Sequence, residues 1–180
     1  RPSGGGKQRL SFIAPSRALI GYLGEFLTDT HGTGILNRRF SHYGPHKGAI
    51  PGRRNGVLIS MEKGSAVAFA LWNLEERGPL FIHPQQPVYH GLIIGEHAKG
   101  SDLDVNPLKG KKLTNVRASG TDEAVSLTPP VDMTLEKALA YIQDDELVEV
   151  TPEAVRIRKR FLDIHERKRD AKARAAAEAA

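Results

Sequence analysis

Apolar and polar positions alternate through "KQRLSFIAP", residues 7–15, and again through "GILNRRFSHY", residues 34–43. A period of two places alternate side chains on one face, so each stretch predicts a half-buried strand, with Pro15 ending the first. Between them the period changes. In "SRALIGYLGEFLTDTHG", Leu19, Ile20, Leu23, Phe26 and Leu27 form one helical stripe. Ser16 is the expected N-cap and Gly32 the expected C-terminal stop. The segment therefore reads as strand, helix, strand with a short return.

"HKGAIPGRRNG" is a Gly/Pro-rich connection. "VLISMEKGSAVAFALWNLEERGPLFI" follows and reads as strands with turns at "EKG" and "ERG", although the apolar positions of "SAVAFALWNLEER" suit a helix equally well. "QPVYHGLIIGEH" predicts a strand pair or one bent strand, hinged at Gly91 and Gly95. From Ala98 to Thr121 the chain is polar, longer than an ordinary connection, and loops of that length are usually functional or disordered. "TLEKALAYIQ" predicts a short helix capped by Thr134, with Leu135, Ala138, Leu139 and Ile142 on one side. "ELVEVTP" and "AVRIRKRF" alternate as strands; in the second, Val155 and Ile157 point opposite to Arg156 and Arg158. Asp163 and Glu166 form an Asp-x-x-Glu capping pattern ahead of an Ala-rich, helix-prone tail that lacks an apolar face and is expected to fray.

Composition narrows the class. The 180 residues are 39% hydrophobic and 26% charged, a globular balance with enough chain for one core. Cysteine is absent, which removes disulfides and thiolate chemistry and fits a reducing cytoplasm. No apolar run is long enough to cross a membrane as a helix, and the N-terminal "RPSGGGKQRL" is not a signal peptide. The first residue is not methionine, so the chain reads as cut from something longer. Net charge is +5, which favours an anionic partner. The charge is also segregated: residues 36–64 and 105–121 are basic, residues 129–153 are acidic, and the tail is basic again.

Catalytic signatures are missing. There is no phosphate loop, dinucleotide-binding glycine motif or serine elbow. His83, His90 and His97 are evenly spaced, but Pro84, Pro87 and two glycines break any shared helical face, so they read as surface or strand-end histidines and not a metal site. Asp144, Asp145 and Glu146 read as a solvated turn after a helix.

Two basic stretches remain. "KGKKLTNVRASG" carries Lys109, Lys111, Lys112 and Arg117 with no acid, beside the neutral donors Thr114 and Asn115. "PHKGAIPGRRNG" carries Lys47, Arg53, Arg54 and Asn55 among three glycines. Exposed cations on glycine-rich backbone suit phosphate contact. With no recognition helix visible, RNA is expected over DNA. A structural reading competes for the second stretch: Arg53 or Arg54 pairing with the acidic segment, and Asn55-Gly56 as a hairpin turn.

"FLTDTHGTGILNRRFSHY", "GRRNGVLIS", "NPLKGKKLTNVRASGTDEA", "LTPPVDMTLEKALAYIQDDELVEVTP" and "VRIRKRFL" together resemble the C-terminal part of the BipA/TypA family of bacterial translational GTPases. The resemblance covers residues 8–169 and is most specific over 104–152. The first forty-odd residues also resemble the second half of the fifth domain of elongation factor G, where the family's Ser-Arg-Gly is Ser16-Arg17-Ala18 here. This implies an α+β chain. Residues 1–46 would be half of a ferredoxin-like split β-α-β domain with an exposed sheet edge. Residues 47–165 would form a β-rich C-terminal domain with short helices and a long basic loop, and residues 166–180 a basic, Ala-rich tail. It further implies a ribosome-binding region whose loop, about Asp104 to Asp122, meets the acceptor end of an A-site tRNA, with large-subunit rRNA and other domains of the parent as further partners. GTP and magnesium would belong to a GTPase domain absent from this chain, leaving the chain with no cofactor and no catalysis of its own. The alternative is a protein-interaction module that docks its acidic face on the rest of the parent.

Overall fold

A computed structural model describes residues 6–48, 52–110 and 126–178. The chain forms two compact units, Arg1–Pro51 and Gly52–Ala180.

In the first unit the expected long helix divides. Ser16–Leu19 is a single 3-10 turn. Ile20 is extended, and Gly21, at φ 75°, caps α1, Tyr22–Asp29. Ser16 therefore lies inside a turn and is not an N-cap; the left-handed glycine breaks the helix because it takes that conformation without steric cost. The other end is as expected: Gly32, at φ 73°, donates its N–H to the Leu27 carbonyl at 2.7 Å. The two flanking strands are absent among the described residues, apart from a one-residue bridge at Gln8. Their alternating apolar side chains stay in solvent, with Phe12 82% and Ile35 78% exposed. Alternation marks a face able to be covered, but a strand also needs a neighbour for its N–H and C=O groups.

In the second unit the centre is β1, Gly56–Ser60, whose five residues are all buried. It pairs antiparallel with β4, Ile93–His97, and parallel with β5, Leu103–Val105, in the order β4-β1-β5. Strand periodicity divides the core between the two faces of this sheet. Leu58 joins Leu71, Leu80, Ile82, Leu92 and Ile94 on one side. Val57, Ile59 and Ile93 meet Ala138 and Ile157 on the other. The first side is covered by α2, Ala68–Glu75, which buries Ala70 and Leu71 and settles the ambiguous period as helix. A short pair, β2 (Gly64–Ser65) and β3 (Pro87–Val88), lies beside it. The second side is covered by α3, Leu135–Tyr141, and by the hairpin of β6, Glu146–Val150, and β7, Val155–Lys159.

The Thr134 hydroxyl caps α3 by accepting from the Lys137 N–H at 3.3 Å, as the sequence predicts. The buried side of α3 differs from expectation: Ala138 is buried, while Leu135 and Leu139 are about half exposed. The Asp163 carboxylate caps α4, Ile164–Glu178, by accepting from the His165 and Glu166 N–H groups at 2.8 and 3.0 Å. β5 is new, since that stretch reads as polar loop. Three residues suffice because β5 borrows its ladder from β1.

Gly78 shows how tightly the sheet end is packed. At φ 144° its absent Cβ would lie 2.2 Å from the Glu96 carbonyl oxygen. Gly78→Ala should cost about 2–3 kcal/mol through backbone strain and clash together. Thermal melting should show a drop of roughly 4–10 °C; an unchanged melt would mean that this turn is not as drawn here.

Candidate nucleic-acid interface

The ten residues singled out for RNA contact divide into three groups. Lys111, Lys112, Thr114, Asn115 and Arg117 lie outside the described residues. Lys47 in the first unit, and Arg54 and Lys109 in the second, are exposed. Arg53 and Asn55 point inward to carboxylates. Asn55 Nδ2 donates to Glu96 Oε1 at 2.7 Å. Arg53 donates both terminal nitrogens to Glu146, at 2.6 and 2.5 Å, and a further bond to the Tyr141 carbonyl at 2.9 Å. Its guanidinium also stacks 4.5 Å above the Tyr141 ring. Of the two readings open to Arg53, the geometry is that of structural pairing with the acidic segment.

Glu146 is the hub. Its side chain is wholly buried and also accepts from Lys159 Nζ at 2.9 Å. Glu146 and Lys159 are register partners across the β6–β7 hairpin. Lys159, only 2% exposed, reaches Asp102 at 2.6 Å and Asp145 at 2.8 Å as well. The "DDE" segment is thus not the solvated turn expected: two of its carboxylates form the interior of an ion network. The signal lay in the alternation of "AVRIRKRF", which puts Lys159 on the same side as Ile157, and an inward lysine requires anionic partners.

Three members of the network, Arg53, Lys159 and Asp145, are shifted toward their charged forms. Burial works against the charge on Arg53, but Glu146 outweighs it and raises the pKa. Burial likewise disfavours the Lys159 ammonium, and Glu146, Asp102 and Asp145 together raise its pKa above 10.5. Burial would raise Asp145, yet Lys159 and then Arg174 hold it below the usual 3.8.

His97 is buried, its Nδ1 2.5 Å from the Ser101 carbonyl, while His83 and His90 are not buried. No group of three His, Cys, Asp or Glu side chains among the described residues is placed to hold a metal. No helix there is long and apolar enough to cross a membrane.

The cations the network does not use include several exposed ones. Arg54 turns out where Arg53 turns in, and Lys109 is exposed at the root of the basic stretch. Sequence reading missed Arg77 and Lys99, exposed residues far from Arg54 in the chain and close to it in the fold. Nothing local marks them, because the β1–β4 pairing brings Lys99 beside the Arg54 segment and the bond from the Ala98 N–H to the Arg77 carbonyl brings in Arg77.

With this geometry, the comparison with known proteins is direct. Residues 55–164 match the model of the TypA/BipA C-terminal domain. The chain belongs to the TypA/BipA family. Residues 1–54 match the elongation factor G C-terminus. The "large ribosomal subunit assembly factor BipA" of Escherichia coli strain K12 is 57% identical over 169 residues, 93% of this chain and 28% of that protein. The proteins of the same name from Haemophilus influenzae and Buchnera aphidicola are 56% and 55% identical over the same length. The chain therefore spans under a third of the curated TypA/BipA relatives it matches.

Two predictions follow from the network. Arg53→Ala leaves Glu146 buried with Lys159 as its one cationic partner among the described residues, beside the Gln143 N–H at 3.1 Å, and breaking a buried pair costs about 3–5 kcal/mol. Neighbouring Arg54→Ala should change stability by less than ~0.5 kcal/mol. Chemical denaturation of the two variants side by side checks this, and equal losses would contradict the inward–outward division. Secondly, Asp145 has a lowered pKa, so its contribution is present above the unfolded value and lost as pH falls through the folded one. Asp145→Asn should be less stable than wild type at pH 7 and should lose less on acidification below about pH 4. Parallel acid-denaturation slopes would overturn that role.

Proposed function

We propose that this chain is the ribosome- and tRNA-contacting C-terminal region of a BipA/TypA-type translational GTPase acting in large-subunit assembly and stress-adaptive translation. One observation carries the reading: the second unit turns Asp102, Asp145 and Glu146 toward its own cations, while Arg54 and Lys109 stay exposed without a carboxylate partner among the described residues. Counterions for the exposed set must come from outside, and RNA phosphates supply them. The printed name of the relatives, a large ribosomal subunit assembly factor, points the same way. Lys109, Lys111, Lys112 and Arg117 would clamp phosphates of large-subunit rRNA and of a tRNA acceptor end, with Thr114 and Asn115 as neutral donors. Lys47 and Arg54 would add separate contacts, while Arg53 and Asn55 act by holding the segment in place.

GTP and magnesium would bind elsewhere in the parent protein, which would act in the cytoplasm, and this region would position the parent without catalysis of its own. The alternative, an acidic docking face at residues 144–149, loses its strongest feature once Asp145 and Glu146 are spent inside the network.

Binding of the full-length parent to purified large ribosomal subunits across a salt series tests the proposal. Four phosphate contacts give a slope of about −3 in log K against log salt, at ~0.7 per contact. Lys111→Ala with Lys112→Ala should shallow it by roughly 1 to 2 units. Salt-insensitive binding, or no binding, would refute the reading.

A further inference from the structure

The end of the three-stranded sheet gathers three cations from three separate turns. The Arg77 carbonyl accepts the Ala98 N–H at 2.7 Å, and the Lys99 carbonyl accepts the Gly56 N–H at 2.7 Å. A Cβ on Gly100 would lie 3.2 Å from the Arg54 carbonyl. The main chains of Arg54, Arg77 and Lys99 are thus neighbours around one rim, and all three side chains are exposed. None of the three makes an ion pair or a side-chain hydrogen bond with the described residues. The carboxylates nearest this rim are mostly engaged elsewhere. Asn55 binds Glu96 and the Thr128 N–H binds Glu75. Asp102 takes the Val57 N–H at 3.0 Å as well as Lys159. Asp102 is itself partly exposed, and Glu76 is exposed beside Arg77 with no ion pair or side-chain hydrogen bond to the described residues.

We infer that Arg54, Arg77 and Lys99 form a phosphate-binding rim for structured RNA, apart from the basic stretch at 109–117. The inference rests on the proposed ribosome contact and adds a second site to it. Like-charged, exposed side chains on neighbouring main chain, without partners among the described residues, gain little from folding, and an anion from outside the chain would neutralise them. Two guanidinium forks and one ammonium suit phosphate, the forks taking two oxygens each and the lysine acting as a point charge. Such contacts read charge and shape, not sequence, as expected for a helical RNA surface.

The test compares the full-length wild type with Arg77→Ala/Lys99→Ala, two exposed residues that lie outside the basic stretch at 109–117 in the sequence. Melting curves should coincide. Binding to purified large subunits, and to their protein-free rRNA, is measured across a salt series. The double variant should bind both roughly tenfold more weakly near 0.1 M salt, with a slope shallower by about 1 to 2 units. Arg77→Lys/Lys99→Arg should keep the wild-type slope, and Lys137→Ala, an exposed cation elsewhere, should match wild type. If wild type binds with a steep slope and the double variant is indistinguishable from it, the rim is not a contact while the ribosome reading stands. A loss on the intact subunit but not on protein-free rRNA would assign the rim to a ribosomal protein and overturn the inference. If the wild type binds neither probe, both readings fall together. A variant that melts early is replaced by the charge-reversing single change Lys99→Glu, held to the same slope criterion.

Discussion

A lysine on the inward side of a strand constrains the second unit more than any apolar contact does. Lys159 stands opposite Glu146 across the β6–β7 hairpin and is sealed from water. An isolated ammonium there would be strongly disfavoured. It is held by three carboxylates from two places: Asp145 and Glu146 at the start of the hairpin, and Asp102 before β5. Glu146 in turn needs Arg53, from the segment that enters β1, because one ammonium shared among three acids leaves negative charge uncompensated. The network therefore ties the hairpin, the β5 approach and the β1 entry in one step, and a slip of the hairpin by one residue would turn Lys159 outward and Arg158 inward. Such networks add little net stability compared with apolar packing, but they penalise every other arrangement heavily.

The same constraint sorts charge between inside and outside. α4 is drawn onto the carboxylate side of the network by Arg167 with Asp104 and by Arg174 with Asp145, and internally by Arg174 with Asp170 at 2.7 Å. Of the acids that the sequence concentrates in one stretch, Asp145, Glu146 and Glu149 are thereby matched to cations at 53, 156, 159 and 174. Among the exposed cations outside these pairs are Arg54, Arg77, Lys99 and Lys109, which sit in turns and at the root of the basic stretch. A net positive charge spread evenly would speak only of solubility. Here part of the negative charge, Asp145 and Glu146 above all, has been drawn inward and is matched by the unit's own cations.

How much of this could be read along the chain depends on the range of the interaction. Helix α3, its Thr134 cap, the Asp163 cap and the β6–β7 hairpin were legible, because capping and alternation act within a few residues. Helix α2 was legible only as an alternative, since a helix packed on a core shows apolar residues that fit either period. The strands expected around α1 did not form among the described residues, for pairing depends on a neighbour that the pattern cannot supply. β5 was hidden for the opposite reason: its neighbour β1 stabilises three residues whose own pattern is too short to register. Among the candidate contacts, Arg53 and Arg54 looked alike, and only the reach to Glu146, 93 residues away, separates them.

That separation bears on how a binding surface can be built beside a stability device. Adjacent residues of an extended segment point in opposite directions, so "RR" at 53–54 gives one cation to the interior and one to solvent at no cost in chain length. The inner arginine is fixed by a two-pronged bond and by stacking on Tyr141. Its main chain is fixed too, by Gln143 Nε2 donating to the Arg53 carbonyl at 3.1 Å. The backbone beneath Arg54 is therefore set before any partner arrives. A contact made from such a position loses less conformational freedom on binding than one made from a free loop. The outer cation is thus held in place by the burial of its neighbour, and the interior network is itself part of the surface it supports.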